Sequence, residues 1–161
     1  MAFSFWVKLN ATLSTEQRIR ATVTSSPASD SPSTTLADAA RCPCLSGETY
    51  GACCGPLHRG LAIAPTAERL MRSRYSAFAV GDAVYLLATW DPALRPDSLN
   101  LDEGVRWYRL DIIATERGGM LDTTGIVEFR AHYRDDGGAH TLHERSTFSK
   151  QRGRWLYVMA L

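Results

Sequence analysis

An α+β fold is what this sequence predicts: helices first, then a bent antiparallel sheet packed on them. Three observations predict it. Between residues 66 and 88 apolar side chains recur at helical spacing, and after Val105 the pattern switches to alternation. Three Gly-bearing clusters divide the alternating part into consecutive runs, as hairpin turns do: Glu116-Arg117-Gly118-Gly119, Asp135-Asp136-Gly137-Gly138 and Gln151-Arg152-Gly153. Helices followed by a strand meander have one economical layering, with the helices covering one face of the sheet.

Taken in order, residues 1–40 read as a disordered tail. The Ser-, Thr- and Pro-rich stretch from Thr22 to Thr35 holds too few large apolar groups to offset its ordering entropy. Within the tail, residues 11–21 can form a short helix capped by Ser14. Residues 41–60 hold all four cysteines among Gly and Pro and are too short for an apolar core of their own. Residues 61–161 then form the α+β domain. Its first helix starts at the N-cap Thr66, opens with Glu68 and Arg69, and ends at Gly81. Met71, Tyr75, Phe78 and Ala79 give it an apolar stripe, with Leu70, Arg74 and Ala77 on another side. Asp82 caps a second helix from Ala83 to Ala88, stopped by Asp91-Pro92 and Arg95-Pro96. Leu99 to Gly104 reads as a third helical turn capped by Asn100.

Four runs rich in β-branched and aromatic residues follow: Arg106–Thr115, Gly125–Arg134, Thr141–Lys150 and Arg154–Met159. Alternation assigns their faces. Val127, Phe129, Ala131 and Tyr133 point one way, and Leu142, Glu144, Ser146 and Phe148 share a face of the next strand. Glu144 therefore lies on an apolar side. His132 and His143 fall on outward positions of neighbouring strands, where solvated histidines are the ordinary reading and a site is the alternative.

Composition narrows the function classes. The 161 residues carry a net charge of +1, so no global field favours nucleic acid or an anionic membrane surface. No apolar run approaches the ~20 residues of a membrane span. The start, Met1 to Lys8, has its charge after a short apolar part and makes a poor secretory signal. A cytoplasmic chain keeps its thiols reduced, and clustered cysteines then read as metal ligands. The arginines Arg69, Arg72 and Arg74 of the first helix read as a solvated face, with contact to an acidic partner or RNA as the alternative. No GxGxxG, P-loop, GxSxG or HExxH pattern is present.

Zinc favours four thiolate or imidazole ligands in a tetrahedron. Cys42-x-Cys44 and the vicinal Cys53-Cys54 are two close pairs, and Gly47 and Gly51 between them let the chain double back. This predicts a zinc site on Cys42, Cys44, Cys53 and Cys54. Four protein ligands leave no open position, so the metal is expected to be structural. Open alternatives are a strained Cys53–Cys54 disulfide, inert buried thiols, an iron–sulfur cluster, and His58 in place of Cys54.

Cys42-x-Cys44-x-Ser46-Gly47 followed by Cys53-Cys54 resembles the SEC-C zinc motif known from the C-terminal tail of the SecA translocation motor; Leu45 stands where that motif usually has Gly. The runs Leu70 to Phe78, Tyr85-Leu86 and Thr89-Trp90 resemble the bacterial YchJ family, as do Val127-Glu128-Phe129, Leu142 to Ser146 and Arg154 to Val158. The resemblance spans about residues 41–161. It implies a cystatin-like, nuclear transport factor 2-like α+β fold and a zinc site, and it brings no reaction.

Such a bent sheet encloses a conical cavity. Arg74, Tyr75, Trp90, Trp107 and Glu144 are placed near its mouth as candidates for binding a small molecule, with Glu144 as acceptor or base. The competing reading makes the aromatics core and pairs Glu144 with an arginine. Three roles compete: a zinc-bearing module that docks on a protein or ribosomal partner, a cone-pocket domain that binds or transforms a small molecule, and a knot that only stabilises the domain.

Overall fold

The helix Ala67–Val80, α2 below, is the element on which the rest of the fold is assembled. The structure is a computed structural model that describes residues 36–161; the proposed helix at 11–21 and most of the tail lie outside the described residues. Among the described residues three helices precede four strands: α1 Cys54–His58, α2 Ala67–Val80, α3 Ala83–Ala88, β1 Arg106–Arg117, β2 Thr124–Asp135, β3 Gly138–Gln151 and β4 Arg154–Ala160.

Local chemistry fixes both ends of α2. Thr66 is extended, and its Oγ1 accepts from the Arg69 amide at 3.1 Å. At the other end Gly81 takes φ 77, the Gly81 amide reaches the Phe78 carbonyl, and the Asp82 amide reaches Ala77. That pair of bonds is a Schellman closure. The Asp82 carboxylate then accepts from the Tyr85 amide at 2.9 Å and starts α3. One residue thus closes a helix and caps the next.

The expected turn at Leu99 to Gly104 is not helical. Asp102, rather than Asn100, supplies the local bond, accepting from the Gly104 amide at 2.8 Å. Leu99 and Leu101 pack with Leu86 and Ala77 from an irregular backbone, so burial of two leucines overrides a weak helical signal. Helix α1 was not expected; it is five residues long and directly follows Cys53.

The sheet is antiparallel in the order β1-β2-β3-β4. Its last hairpin turns at Arg152 and Gly153, both with positive φ, as a two-residue turn of the twist-matched kind requires. Val127, Phe129, Ala131 and Tyr133 are buried, as are Leu142, Glu144, Ser146 and Phe148 on the neighbouring strand. This is the face assignment the alternation predicts. Register shifts in the β1–β2 and β3–β4 pairings bend the sheet.

The buried face packs on Leu70, Met71 and Tyr75 of α2. The start of α2 comes unusually close to the β1–β2 turn. A Cβ on Gly125 would lie 2.5 Å from the Gly118 Cα, and one on Gly118 would lie 2.7 Å from the Ala67 Cβ. The Ala67 amide donates to the Gly118 carbonyl at 2.9 Å across that gap. Beyond α3, Trp90 bridges Tyr157 and covers part of the β4 edge.

Helix α2 has more than one buried side. Ser73, Arg74 and Ser76 are buried together with its apolar residues. The sheet takes one side, α3 another, and the cysteine knot a third.

Candidate metal centre

Backbone hydrogen bonds shape the knot before any side chain is considered. Arg41 and Thr49 form an antiparallel bridge, and the Cys42 amide donates to the Glu48 carbonyl at 3.0 Å. The Leu45 amide returns to the Cys42 carbonyl, closing a turn in which Leu45 itself adopts φ 57. That left-handed backbone suits glycine and costs a leucine about 1–2 kcal/mol. The bonding begins before Arg41: the amides of Tyr50 and Gly51 donate to the carbonyls of Ala40 and Asp38. A Cβ on Gly51 would sit 2.7 Å from the Asp38 Cβ, so only glycine permits this crossing.

The fold of the knot brings Cys42, Cys44, Cys53 and Cys54 together. All four are buried, and their sulfurs lie within 4.8 Å of one another. Cys44 and Cys53 sulfurs are 3.5 Å apart, and Cys53 and Cys54 sulfurs are 3.9 Å apart. A tetrahedron of thiolates around one zinc, with bonds of about 2.3 Å, requires sulfurs about 3.8 Å apart. The donor set therefore fits a single four-coordinate ion. It does not fit a Cys53–Cys54 disulfide, which needs about 2.05 Å. The Cys44 thiol is held far down by hydrogen bonds from Cys42 and Cys54; the Cys54 thiol is pushed far up by its bonds to Cys42 and Cys44, and then by burial. A divalent cation replaces thiol protons with its own charge.

Helix α2 supplies the outer layer. Arg69, Arg72, Ser73 and Ser76 recur at helical spacing on the side that meets the knot. Arg69 Nη1 donates to the Cys54 sulfur at 3.7 Å, Arg72 Nη1 donates to the Cys44 carbonyl at 3.2 Å, and the Ser76 hydroxyl is 3.7 Å from the Cys42 sulfur. The Ser46 hydroxyl lies 3.1 Å from the Cys53 sulfur. Arg69 and Arg72 are thus not a solvated face, as the sequence alone suggested, and neither is Arg74, which is buried. Apolar periodicity identifies the sheet-facing stripe only; the signal for this second stripe is two serines at i and i+3 in a helix otherwise rich in apolar residues.

His58 stands apart from the sulfurs. Its Nδ1 is 2.8 Å from the Tyr50 hydroxyl, and its Nε2 is 2.9 Å from the Ser73 carbonyl. A carbonyl only accepts, so Nε2 carries the proton and Nδ1 accepts from Tyr50. Both ring nitrogens are committed, and His58 joins α1 to α2 rather than replacing Cys54. Burial pushes its pKa below the usual value.

The small-molecule candidates lie in the interior. The Arg74 guanidinium donates to the Leu86 carbonyl and to Thr89 Oγ1, both at 2.8 Å, and sits over the rings of Trp90 and Tyr157. Burial lowers its pKa to about 10, opposed by the charges of Tyr157, Tyr85 and Glu144. Glu144 accepts from the Ser146 hydroxyl at 2.6 Å. Tyr75 and Trp107 meet edge to face at 5.9 Å. Arg74 and Trp90 are thereby brought together, as are Tyr75 and Trp107. A separate cavity of about 210 Å³ opens between α1, α3 and β4, lined by Leu57, Ile63, Val84, Tyr85 and Trp155 among others, and by none of those five candidates. His132 and His143 do not converge: each takes a carboxylate, Asp111 at 2.9 Å and Glu128 at 2.7 Å respectively.

Comparison with known proteins matches both parts of the chain. Residues 66–160 match the model described as YchJ, middle NTF2-like domain, and residues 40–56 match the SEC-C motif. A UPF0225 protein of Corynebacterium glutamicum is 55% identical over 73% of this chain and 93% of its own length. The solution structure of a SEC-C motif containing protein from Rhodopseudomonas palustris superimposes with a TM-score of 0.66 at 38% identity, over 74% of this chain and 96% of that one. A crystal structure of a SEC-C motif containing protein from Psychrobacter arcticus gives 0.63 at 30% identity, over 76% and 82%. The chain belongs to the YchJ-like UPF0225 family, an NTF2-like domain preceded by a SEC-C motif.

Proposed function

We propose that this protein holds one structural zinc ion on Cys42, Cys44, Cys53 and Cys54, and that the ion sets the shape of a protein-binding surface where the knot meets the domain. The observation that carries the metal is the set of four buried thiols within 4.8 Å of one another. An all-thiolate tetrahedron suits zinc, and in a reducing cytoplasm the sulfurs stay available to it. With no open position the ion has no substrate to activate, so its part is architectural. The binding surface is supported by Ile63 and Val84, exposed by 55% and 79% and lining the same cavity beside α1 and α3. Large apolar groups gathered at one place favour a protein partner.

Protein purified under reducing conditions is expected to contain about one zinc per chain by elemental analysis, and Cys53→Ser/Cys54→Ser to contain none. Less than half an equivalent in the wild type removes the metal reading. Ile63→Glu/Val84→Glu is expected to keep its zinc and lose a partner that the wild type retains on affinity capture. A partner retained equally by both places the interaction elsewhere.

A second reading rests on Trp90. Its Nε1 is buried with no acceptor among the described residues. A small molecule carrying an acceptor into the interior, near Arg74, Tyr75, Trp107 and Glu144, would satisfy it. Glu144→Gln would then keep its melting temperature and lose the ligand-induced shift. A broad screen in which no compound shifts the wild type ends this reading.

A further inference from the structure

We infer that Arg69 is the cationic donor that makes the metal centre tolerable in a buried position, holding the Cys54 sulfur and offsetting the surplus charge of the tetrathiolate. The inference rests on the zinc reading above. Four thiolates around one divalent ion carry a net charge of −2, and burying uncompensated charge is costly. A cation on the sulfurs reduces that cost, and hydrogen bonds to metal ligands tune both affinity and ligand orientation.

Of the arginines around the knot, Arg41 is exposed to solvent, and Arg59 and Arg72 are already neutralised. Arg59 pairs with Asp38 at 2.9 Å, and Arg72 pairs with Glu68 at 2.8 Å while donating to a backbone carbonyl. Arg69 makes no carboxylate pair among the described residues, and its Nη1 points at a sulfur instead. Its position on the helix sharpens the argument. Arg69 is the third residue of α2, and a cation in a first helical turn opposes the helix dipole. A cation placed there is favoured only if it meets negative charge nearby. The Cys54 sulfur, to which Arg69 Nη1 donates at 3.7 Å, supplies it. Ser76 and Ser46 complete the set with hydroxyls on Cys42 and Cys53, so hydrogen-bond donors come from both sides of the centre and only one of them is charged.

The test compares Arg69→Gln, Arg69→Lys and Arg72→Gln with the wild type in the full chain. Zinc affinity is read by chelator competition, and the sulfur-to-cobalt charge-transfer band is read after cobalt substitution. Arg69→Gln is expected to weaken zinc binding about 10- to 100-fold, the range typical of lost outer-layer partners. Its cobalt band should move to lower energy, because a thiolate that loses a hydrogen bond gives up charge more readily. Arg69→Lys keeps the charge and should bind within about threefold of the wild type. Arg72→Gln should leave the band in place, since it touches no sulfur. Wild-type affinity in Arg69→Gln overturns the inference, and so does an equal loss in Arg72→Gln, which would make the effect one of helix docking. If Arg69→Gln does not fold, Arg69→Lys decides: a wild-type band with near wild-type affinity supports the charge role, and a tenfold loss refutes it. A wild type that takes up neither metal fails at the zinc reading instead.

Discussion

The knot and the sheet domain are both buried clusters, yet they are held by different forces. The domain core is aromatic and aliphatic, built on Tyr75, Phe129, Phe148, Trp155 and Tyr157 across a helix and three strands. The knot has its own small core of four cysteines and Tyr50, with Leu36 against it. Burying phenyl and indole rings removes a large apolar area from water, so the domain has a sufficient driving force without a metal. The knot lacks that area. On the zinc reading its sulfurs are charged thiolates, and the ion makes their close approach favourable. Helix α2 is shared by both: Leu70, Met71 and Tyr75 serve the first cluster, and Arg69, Arg72, Ser73 and Ser76 the second. On the zinc reading, one helix therefore couples a region stable on its own to a region dependent on its ligand.

The contrast can be broken most strongly from the domain side. Phe129→Ala removes a fully buried ring and is expected to cost about 3–5 kcal/mol, a large part of a typical domain's stability. Chemical denaturation should show the loss, while the cobalt band of the folded fraction stays at its wild-type position. A band that shifts with the core would mean that the two clusters are one unit.

His58 offers a medium-sized test at the junction. Its folded pKa lies below the ordinary value near 6.5, because burial favours the neutral ring. Above pH 6.5 both folded and unfolded states are neutral and the contribution is fully present. As pH falls below 6.5 the unfolded state binds its proton first, and stability is lost down to the folded pKa. Imidazole titration by NMR should place His58 below 6.5. The fall in melting temperature between pH 7.5 and 5.5 should be smaller in His58→Gln, which removes the titrating group. An equal fall in both proteins would show that His58 takes no part in it.

The smallest effect belongs to Leu45. Its φ of 57 is a glycine conformation held by a half-exposed leucine. Leu45→Gly relieves the backbone and is expected to strengthen the zinc-loaded knot by about 0.5–1 kcal/mol, with the greater freedom of unfolded glycine subtracting the rest. A slower rate of zinc loss to chelator would record it. Faster loss would show that the leucine side chain contributes more than its backbone costs.

Much of the fold was legible because its determinants are local. Thr66, Gly81 and Asp82 announce the ends of two helices by chemistry that acts within four residues. Alternation placed Phe129 and Glu144 on the inner face because a strand has a fixed period. The cysteine spacing, with two close pairs and glycines between, pointed to one compact site. The rest depends on contacts between distant segments. Nothing near Arg69 or Arg72 in the sequence reveals that a knot fifteen or more residues earlier will cover them. Hence a docked face looked like a solvated one. Asn100 looked like a cap because the pull of Leu99 and Leu101 on distant partners cannot be read locally. Arg74 illustrates the same limit in reverse: its two rings and two acceptors come from α3, the segment after it and β4.

The proposed coupling of the knot to the domain through a zinc ion is tested most directly by amide hydrogen exchange of the full chain with and without a strong zinc chelator. On removal of the ion, the amides of Cys42, Leu45, Tyr50, Gly51 and Cys53 are expected to lose most of their protection, while those paired between β2 and β3 keep theirs. Protection in the knot that is unchanged by the chelator would contradict the account.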